Sequence, residues 1–398
     1  MHKSFPPPHA WSSALIATLV GFGGTIALVV QAMRALGASV DQTGSAVTAL
    51  CLGTAVGGAA LSLRTRMPIV LAWSTPGAAL LAASPAGFQW PVAVGVFIVA
   101  ALLMLVLGAV PALGRLAARI PGSVASGMLA GVLLPFCLTA FRIASEDAWL
   151  VAALVGVFIV ARRWLPLYAM LAVLAVAILL TLARGGIAEI PDGALFGRLL
   201  PTMPAGDPRA VLSLAVPLFL VTLVSQNLPG LMVLRSAGYE PNPRPLIVGT
   251  SVTSLLLAPF GAHFVNLAAI TAAICTHDDA HPDKSRRWTV AVIYAGFYLI
   301  LAIFSSALVR WFLALPHTVI ATITGLALIP ALMGSMETML ATKDERDAAI
   351  LTFLATGSGL VLFGLGAAFW GLMLGFLALG VKKLWAERAA PARRAPNS

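Results

Sequence analysis

Charge is what this 398-residue chain has least of: Asp, Glu, Lys and Arg together make up 10% of it. A soluble globular chain carries about 25%. With 60% hydrophobic residues and a mean hydropathy of +0.96, it has too little polar surface to cover a globule in water. That excludes a soluble fold and points to a multi-pass membrane protein. Cysteine is scarce too. Cys51, Cys137 and Cys275 lie in or beside apolar runs, and so scattered a set makes neither a disulfide framework nor a metal centre. GxSxG, HExxH and P-loop motifs are missing, so nothing argues for hydrolase chemistry or ATP-driven transport. The net charge of +10 comes without basic runs interleaved with aromatics. It reads as membrane loops rich in Lys and Arg, with no nucleic acid as partner.

What is present is a succession of fourteen apolar segments. They lie near 12–33, 45–62, 68–84, 91–110, 122–141, 149–161, 166–183, 210–234, 245–260, 263–275, 288–308, 317–335, 348–367 and 369–382. The first is too long for a signal-peptide core of about 7–15 residues and reads as a retained span. With the N-terminus in the cytoplasm, nineteen of the 25 Lys and Arg residues fall inside, among them Lys3, Arg115, Arg119, Arg393 and Arg394. Only Arg34, Arg142, Arg184, Arg198, Arg209 and Arg310 fall outside. The bias predicts cytoplasmic N- and C-termini.

The two halves resemble each other. LGTAVGGAALSLRTRMPIVLAWSTPGAALLAA from Leu52 matches VGTSVTSLLLAPFGAHFVNLAAITAAICT from Val248. RIPGSVASGMLAGVLLP and ALPHTVIATITGLALIP each carry two prolines fourteen positions apart, Pro121 and Pro135 in one, Pro316 and Pro330 in the other. An odd number of spans per half inserts the second half upside down. The predicted fold is therefore an all-α polytopic membrane protein of 14 transmembrane segments, a 7+7 inverted repeat. That is the plan of secondary transporters, with the site near the midplane. The competing reading is chance similarity between apolar strings.

Segments three and ten are short and interrupted. In LAWSTPGAAL (71–80), PIVLAW can run extended to mid-membrane, Ser74 or Thr75 can cap a helix, and Pro76 suits its first turn. In the tenth, His263 to Asn266 is the expected extended piece and Leu267 to Cys275 the half-helix. Two half-helices preceded by short strands would then aim free N–H groups at one cavity, an anion site without arginine. The alternative is a proline kink in an ordinary helix. Thr222, Ser225, Gln226 and Asn227 in span eight read either as glue between helices or as cavity lining.

No Asp, Glu, Lys or Arg falls clearly at the centre of a span, so a proton carrier is sought among histidines and edge carboxylates. His263 is the first candidate and Glu337 the second, against a purely structural role for each. His317 reads as a helix-start residue. HDDAH (277–281) looks like a metal cluster, but its neighbours Asp283, Lys284, Arg286 and Arg287 make it read as a solvated loop, with no metal and no cofactor.

LAWSTPGAAL (71–80), SQNLPGLMVLRSAGYEPN (225–242) and APFGAHFVNLAAITAAICT (258–276) resemble the benzoate:proton symporter (BenE) family across nearly the whole chain. More distantly, the chain is similar to uracil/xanthine permeases and sulfate-type anion transporters. The resemblance implies a core domain from 1–110 and 205–308, a gate domain from 111–204 and 309–385, a cytoplasmic tail at 386–398, and a homodimer. Nucleobase permeases carry acidic residues in spans eight and ten. Ser225, Gln226, Asn227 and Asn266 stand in those neighbourhoods here, which suits an anion. The expected function is proton-coupled uptake of benzoate, or a close aromatic carboxylate, across a bacterial inner membrane. Ser74, Thr75, Gly77, Leu267 and Ala268 would hold the carboxylate, with donors from Ser225, Gln226, Asn227 and Asn266. Trp73, Phe219 or Phe264 would face the ring. Rival readings are a transporter of another anion, a passive channel, and a metal-dependent membrane enzyme using the 277–281 loop.

Overall fold

Apolar runs long enough to cross a bilayer become helices, because lipid offers backbone N–H and C=O groups no other partner. The structure, a computed structural model, describes residues 6–84, 87–110, 112 and 121–389. Among the described residues, nine helices are long and apolar enough to span a membrane. They are Pro8–Ala35, Val40–Thr65, Trp90–Ala109, Gly122–Ser145, Pro166–Ala183, Pro208–Ser236, Lys284–Leu313, His317–Ala341 and Ala367–Trp385. Three shorter helices, Ala148–Trp164, Pro243–Leu257 and Arg346–Gly357, lie between them. Lys3, Arg115, Arg119, Arg393 and Arg394, which entered the charge count, lie outside the described residues, as does the tail from position 390.

Segments three and ten depart from this pattern. Each is a three-residue strand followed by a short helix. Strand β1 (Leu71–Trp73) leads into the first half-helix, Thr75–Ala82, and strand β2 (Val265–Leu267) precedes the second, Ile270–Thr276. The strands pair antiparallel in a two-stranded sheet. Nearby spans are locally distorted as well. The Pro8–Ala35 helix breaks after Gly23, and π turns occupy Gly53–Gly57, Val211–Ala215 and Leu223–Asn227. Such widened turns recur at functional sites.

Buried side chains from the first hundred residues and from 210–309 form most of one continuous core around the sheet, with Phe97, Phe264, Tyr294 and Tyr298 fully enclosed. A separate cluster joins Leu150, Leu154, Phe158, Val173 and Ala177 to Val319, Ile323 and Leu326. Lipid gives helices little hydrophobic reason to associate, so they approach through small residues. Gly127 and Gly131 abut the backbone of Arg346–Gly357 at Ala349 O and Phe353 O. Gly371 and Gly375 abut the same helix at Thr352 and Thr356.

Residues 188–205 form an extended strap between helices Ala169–Ala183 and Pro208–Ser236. Its backbone is tied at intervals: Ala188 N–H to Ala314 O (3.0 Å), Gly197 N–H to Ile303 O (2.7 Å), Leu200 N–H to Ser45 Oγ (2.9 Å), Thr202 N–H to Pro259 O (2.8 Å) and Ala205 N–H to Pro91 O (2.9 Å). Arg310 Nη1 donates to Pro191 O and Trp90 Nε1 to Thr202 Oγ1. Gly197 must be glycine, because a Cβ there would stand 2.0 Å from Ala302 O.

Candidate functional site

Two strands deep in a helical protein need backbone partners, and they find them in each other. Leu71 faces Leu267, Ala72 faces Asn266 and Trp73 faces Val265. Ser74 N–H to Phe264 O (3.3 Å) and Ala268 N–H to Val70 O (3.0 Å) extend the pairing at both ends. Side chains satisfy the outer edges. Tyr294 Oη donates to Leu71 O (3.0 Å), Ser254 Oγ lies 2.9 Å from both Val265 N and Val265 O, and Asn227 Oδ1 accepts from Leu267 N–H (3.1 Å). Irregular backbone persists at this depth only when so paired or when it lines a cavity.

The first half-helix starts where local chemistry dictates. Ser74 is its N-cap, with Oγ accepting from Gly77 N–H (3.0 Å), and Pro76 stands in its first turn. Thr222 Oγ1 donates to the same hydroxyl (3.0 Å). His263 is fully buried with Nε2 3.0 Å from Ser74 O, so that nitrogen carries the proton and Nδ1 is left without a partner. Gly77 leaves room for Leu218, whose Cδ1 would stand 2.6 Å from an added Cβ.

The second half-helix begins three residues later than expected, at Ile270 rather than Leu267. Ala269 offers no capping side chain, and cross-strand pairing claims Leu267 for β2. The N–H groups of Leu267 and Ala268 are therefore spent on Asn227 and Val70 and do not face a ligand. The extended piece likewise runs Val265–Leu267, not His263–Asn266.

Ser74, Asn227, Phe264 and Asn266 are fully buried, and Trp73, Gly77, Leu267 and Ala268 nearly so. Trp73 Nε1 donates to Thr25 Oγ1 (2.8 Å), and its ring meets Phe22 and Tyr298 edge-on. Trp73 and Phe264 are thus packing residues here, and neither faces an open ring site. Phe219, Thr75, Ser225 and Gln226 are half-buried. Asn266 Nδ2 donates to Leu267 O (2.9 Å) and reaches Gln226 Oε1 (3.4 Å), while its Oδ1 has no partner. Glu337 is exposed near the end of the His317–Ala341 helix and takes no part in this network.

Sequence reasoning missed Ile270, which is 67% exposed at the first position of the second half-helix. It reads as an ordinary span residue. Ala273 and half-buried Ile274 continue the uncovered stripe toward His277. Also missed were Ser254, Tyr294 and Thr25, whose roles depend on contacts far along the chain. Hydroxyls, amides, the Trp73 indole, the His263 imidazole and backbone groups make the network described above, and no Asp, Glu, Lys or Arg side chain enters it. The first-turn N–H groups of each half-helix have no acceptor within their own helix, and the helix dipole leaves that end partly positive.

The HDDAH loop folds around a cation. Arg287, 5% exposed, donates to Thr276 O (2.9 Å) and His281 O (2.8 Å) and pairs with Asp278, so it caps the C-terminal end of the second half-helix. Burial lowers the pKa of His281, favouring the neutral ring that accepts Asp283 N–H at Nδ1 (3.1 Å). No group of three or more His, Cys, Asp or Glu side chains among the described residues could hold a metal. His317 Nε2 lies 2.6 Å from Glu146 Oε2 at the surface.

Comparisons with known proteins bear on what this arrangement serves. The family described as Benzoate membrane transport protein (BenE) matches residues 4–381. Inner membrane protein YdcO of Escherichia coli K12 is 40% identical over 387 residues, covering 97% of this chain and 98% of the relative. The benzoate membrane transport protein of Acinetobacter baylyi is 33% identical over 366 residues, covering 92% and 93%. Among solved structures, the transmembrane domain of the cyanobacterial bicarbonate transporter BicA aligns with a TM-score of 0.54 at 14% identity, over 87% of this chain and 97% of that one. The murine anion transporter Slc26a9, in its inward-facing state, aligns with a TM-score of 0.62 at 13% identity, over 93% and 68%. At these identities the two structures are similar to this chain in fold alone.

Proposed function

Because the chain belongs to the BenE family of benzoate membrane transport proteins, we propose that it carries benzoate or a close aromatic carboxylate into the cell together with a proton. The family is one of membrane transporters, not of enzymes. One observation carries the reading: β1 and β2 pair antiparallel, so two broken segments meet through their extended pieces, with a half-helix starting at either end of the sheet and a surrounding network without Asp, Glu, Lys or Arg side chains. A carboxylate is welcome there. An acidic residue in its place would repel it.

The proton has an energetic purpose. A monoanion entering a negative-inside cell is opposed by about 2.3 kcal/mol per 100 mV. A co-moving proton removes that opposition and adds the pH gradient. His263 is the proposed carrier, ahead of Glu337, because its Nδ1 has no partner and its Nε2 touches the cap of the first half-helix. A proton on Nδ1 would put positive charge beside the anion, so each would favour binding of the other.

In this reading the nine long helices, the three shorter ones and the two half-helices count as fourteen spans in a 7+7 inverted repeat, with both termini cytoplasmic. Core (1–110 and 205–308) shifts against gate (111–204 and 309–385), and Ser225, Gln226 and Thr75 line the cavity between them. The test is uptake into proteoliposomes under an imposed inward proton gradient. Labelled benzoate is expected to accumulate above equilibrium and to fall to equilibrium when an uncoupler is added. Absence of accumulation would overturn the reading. If inorganic anions outcompete aromatic acids in the same assay, the substrate class is wrong.

A further inference from the structure

Beneath the strap lies a cavity of about 350 Å³, apart from the network around the sheet. Pro191 O accepts from Arg310 Nη1, and Gly197 N–H donates to Ile303 O. Between these two fastenings the strap makes no backbone hydrogen bond among the described residues. There Gly193 and Ala194 of the strap line the cavity together with Arg198, Leu200, Asp41 at the start of Val40–Thr65 and Ser306 of Lys284–Leu313. Asp41, Arg198 and Ser306 make no hydrogen bond or ion pair among the described residues. Asp41 and Arg198 are exposed, so water reaches the space, on the side opposite the termini in the topology proposed above. A second guanidinium stands at its wall: a Cβ on Gly193 would lie 3.1 Å from Asp41 Oδ1 and 3.3 Å from Arg310 Cδ. The buried Nε–H of Arg310 has no partner among the described residues. Arg198 and Arg310 against Asp41 leave one net positive charge around the cavity. Exposed Asp192, next to Gly193 in the chain, lies outside the lining.

We propose that this cavity is a second binding site, one for a monocarboxylate held between the strap and the two helices. Only the choice of benzoate as probe rests on the transport reading above. Arg198 and Ser306 donate to the carboxylate, and a guanidinium is the side chain best matched to one. Ala194 and Leu200 give the rest of the molecule an apolar wall. The charges select the ligand. Two guanidiniums against one carboxylate exclude a cation, and a monoanion neutralises the charge that is left. The second carboxylate of a dianion would meet Asp41 or the apolar wall, and neither repays its lost hydration. The volume falls at the lower end of small-molecule pockets, about 300–1,000 Å³, which suits a single-ring acid. A ligand bound here ties down the one interval of the strap that its own backbone leaves unfastened.

The experiment puts a thiol in the wall with Ala194→Cys in the otherwise unaltered chain, since Cys51, Cys137 and Cys275 are all buried and free. A charged, water-soluble thiosulfonate reagent is expected to label it. Benzoate at ten times its dissociation constant is expected to slow labelling about 10-fold, as occupancy of one site requires. Phthalate, a dianion, is expected to slow it far less at the same concentration. Adding Arg198→Gln removes a charged donor and is expected to raise the benzoate concentration for half-protection at least about 10-fold. Arg198→Lys, which keeps the charge, is expected to fall between. Adding Asn227→Asp instead, in the network around the sheet, is expected to leave protection at position 194 unchanged. No labelling, or labelling that benzoate does not slow, would overturn the proposal. So would protection that survives Arg198→Gln at full strength, or that Asn227→Asp abolishes, because the strap would then report another site. Equal protection by phthalate would overturn the monocarboxylate assignment. Should the wild type accumulate no benzoate in proteoliposomes, the transport reading falls, and protection at position 194 still decides this one.

Discussion

Asn227 has no exposed surface, and its Oδ1 is the acceptor that Leu267 N–H reaches. Asn227→Ala would strand that N–H, at a cost of about 1–3 kcal/mol. A lower thermal midpoint in detergent is the expected outcome. Asn227→Asp keeps an acceptor but adds a carboxylate near the proposed anion path. It is expected to fold and to raise the benzoate concentration for half-maximal uptake by about 10-fold or more, an electrostatic penalty of at least about 1.4 kcal/mol. Comparable half-saturation in Asn227→Asp and wild type would show that no anion passes near this position. His263 is tested differently: His263→Gln keeps a donor for Ser74 O but titrates no longer, so uptake is expected to continue downhill without being concentrated by a proton gradient.

At the scale of elements, the half-helices show which structure can be read locally. Ser74, Thr75 and Pro76 announce a helix start by their own chemistry, and the first half-helix begins where they indicate. The second start carries no such residue. Val265–Leu267 becomes a strand because β1 lies opposite, and the partner is nearly 200 residues away in sequence. The burial of Trp73 and Phe264 was illegible for the same reason: Thr25, Phe22 and Tyr298 enclose the indole from other helices. Gly230 joins these elements. An added Cβ there would stand 2.6 Å from Leu267 Cβ and 2.9 Å from Ala268 O, so β2 would have to move. Gly230→Ala is expected to lose about 1–3 kcal/mol through overpacking and most of its uptake, while Gly334→Ala, whose Cβ meets nothing within 4 Å, should lose neither. Thermal midpoints and initial uptake rates check both variants.

For the whole molecule, composition made the membrane class plain, and the paired prolines Pro121/Pro135 and Pro316/Pro330 marked two helices that pack together through Gly325 against Ala140 and Phe136 O. The strap was not legible. Residues 188–205 carry no periodicity, and their backbone bonds go to five separated places in the chain. Those bonds have a mechanical consequence. If the proposed core shifts against the proposed gate, a strap fastened along its length to Trp90–Ala109, Trp288–Leu313 and their neighbours leaves little slack for the shift. Just before the strap, Gly185 has φ +62°, and a Cβ at Gly186 would stand 3.8 Å from Pro316 Cγ. Gly186 and Pro316 both fall on the gate side of the proposed boundaries. A disulfide between them, from Gly186→Cys with Pro316→Cys, is expected to leave uptake close to the wild-type rate, because it would join two parts of one moving body. A block that reductant reverses would put the boundary between them.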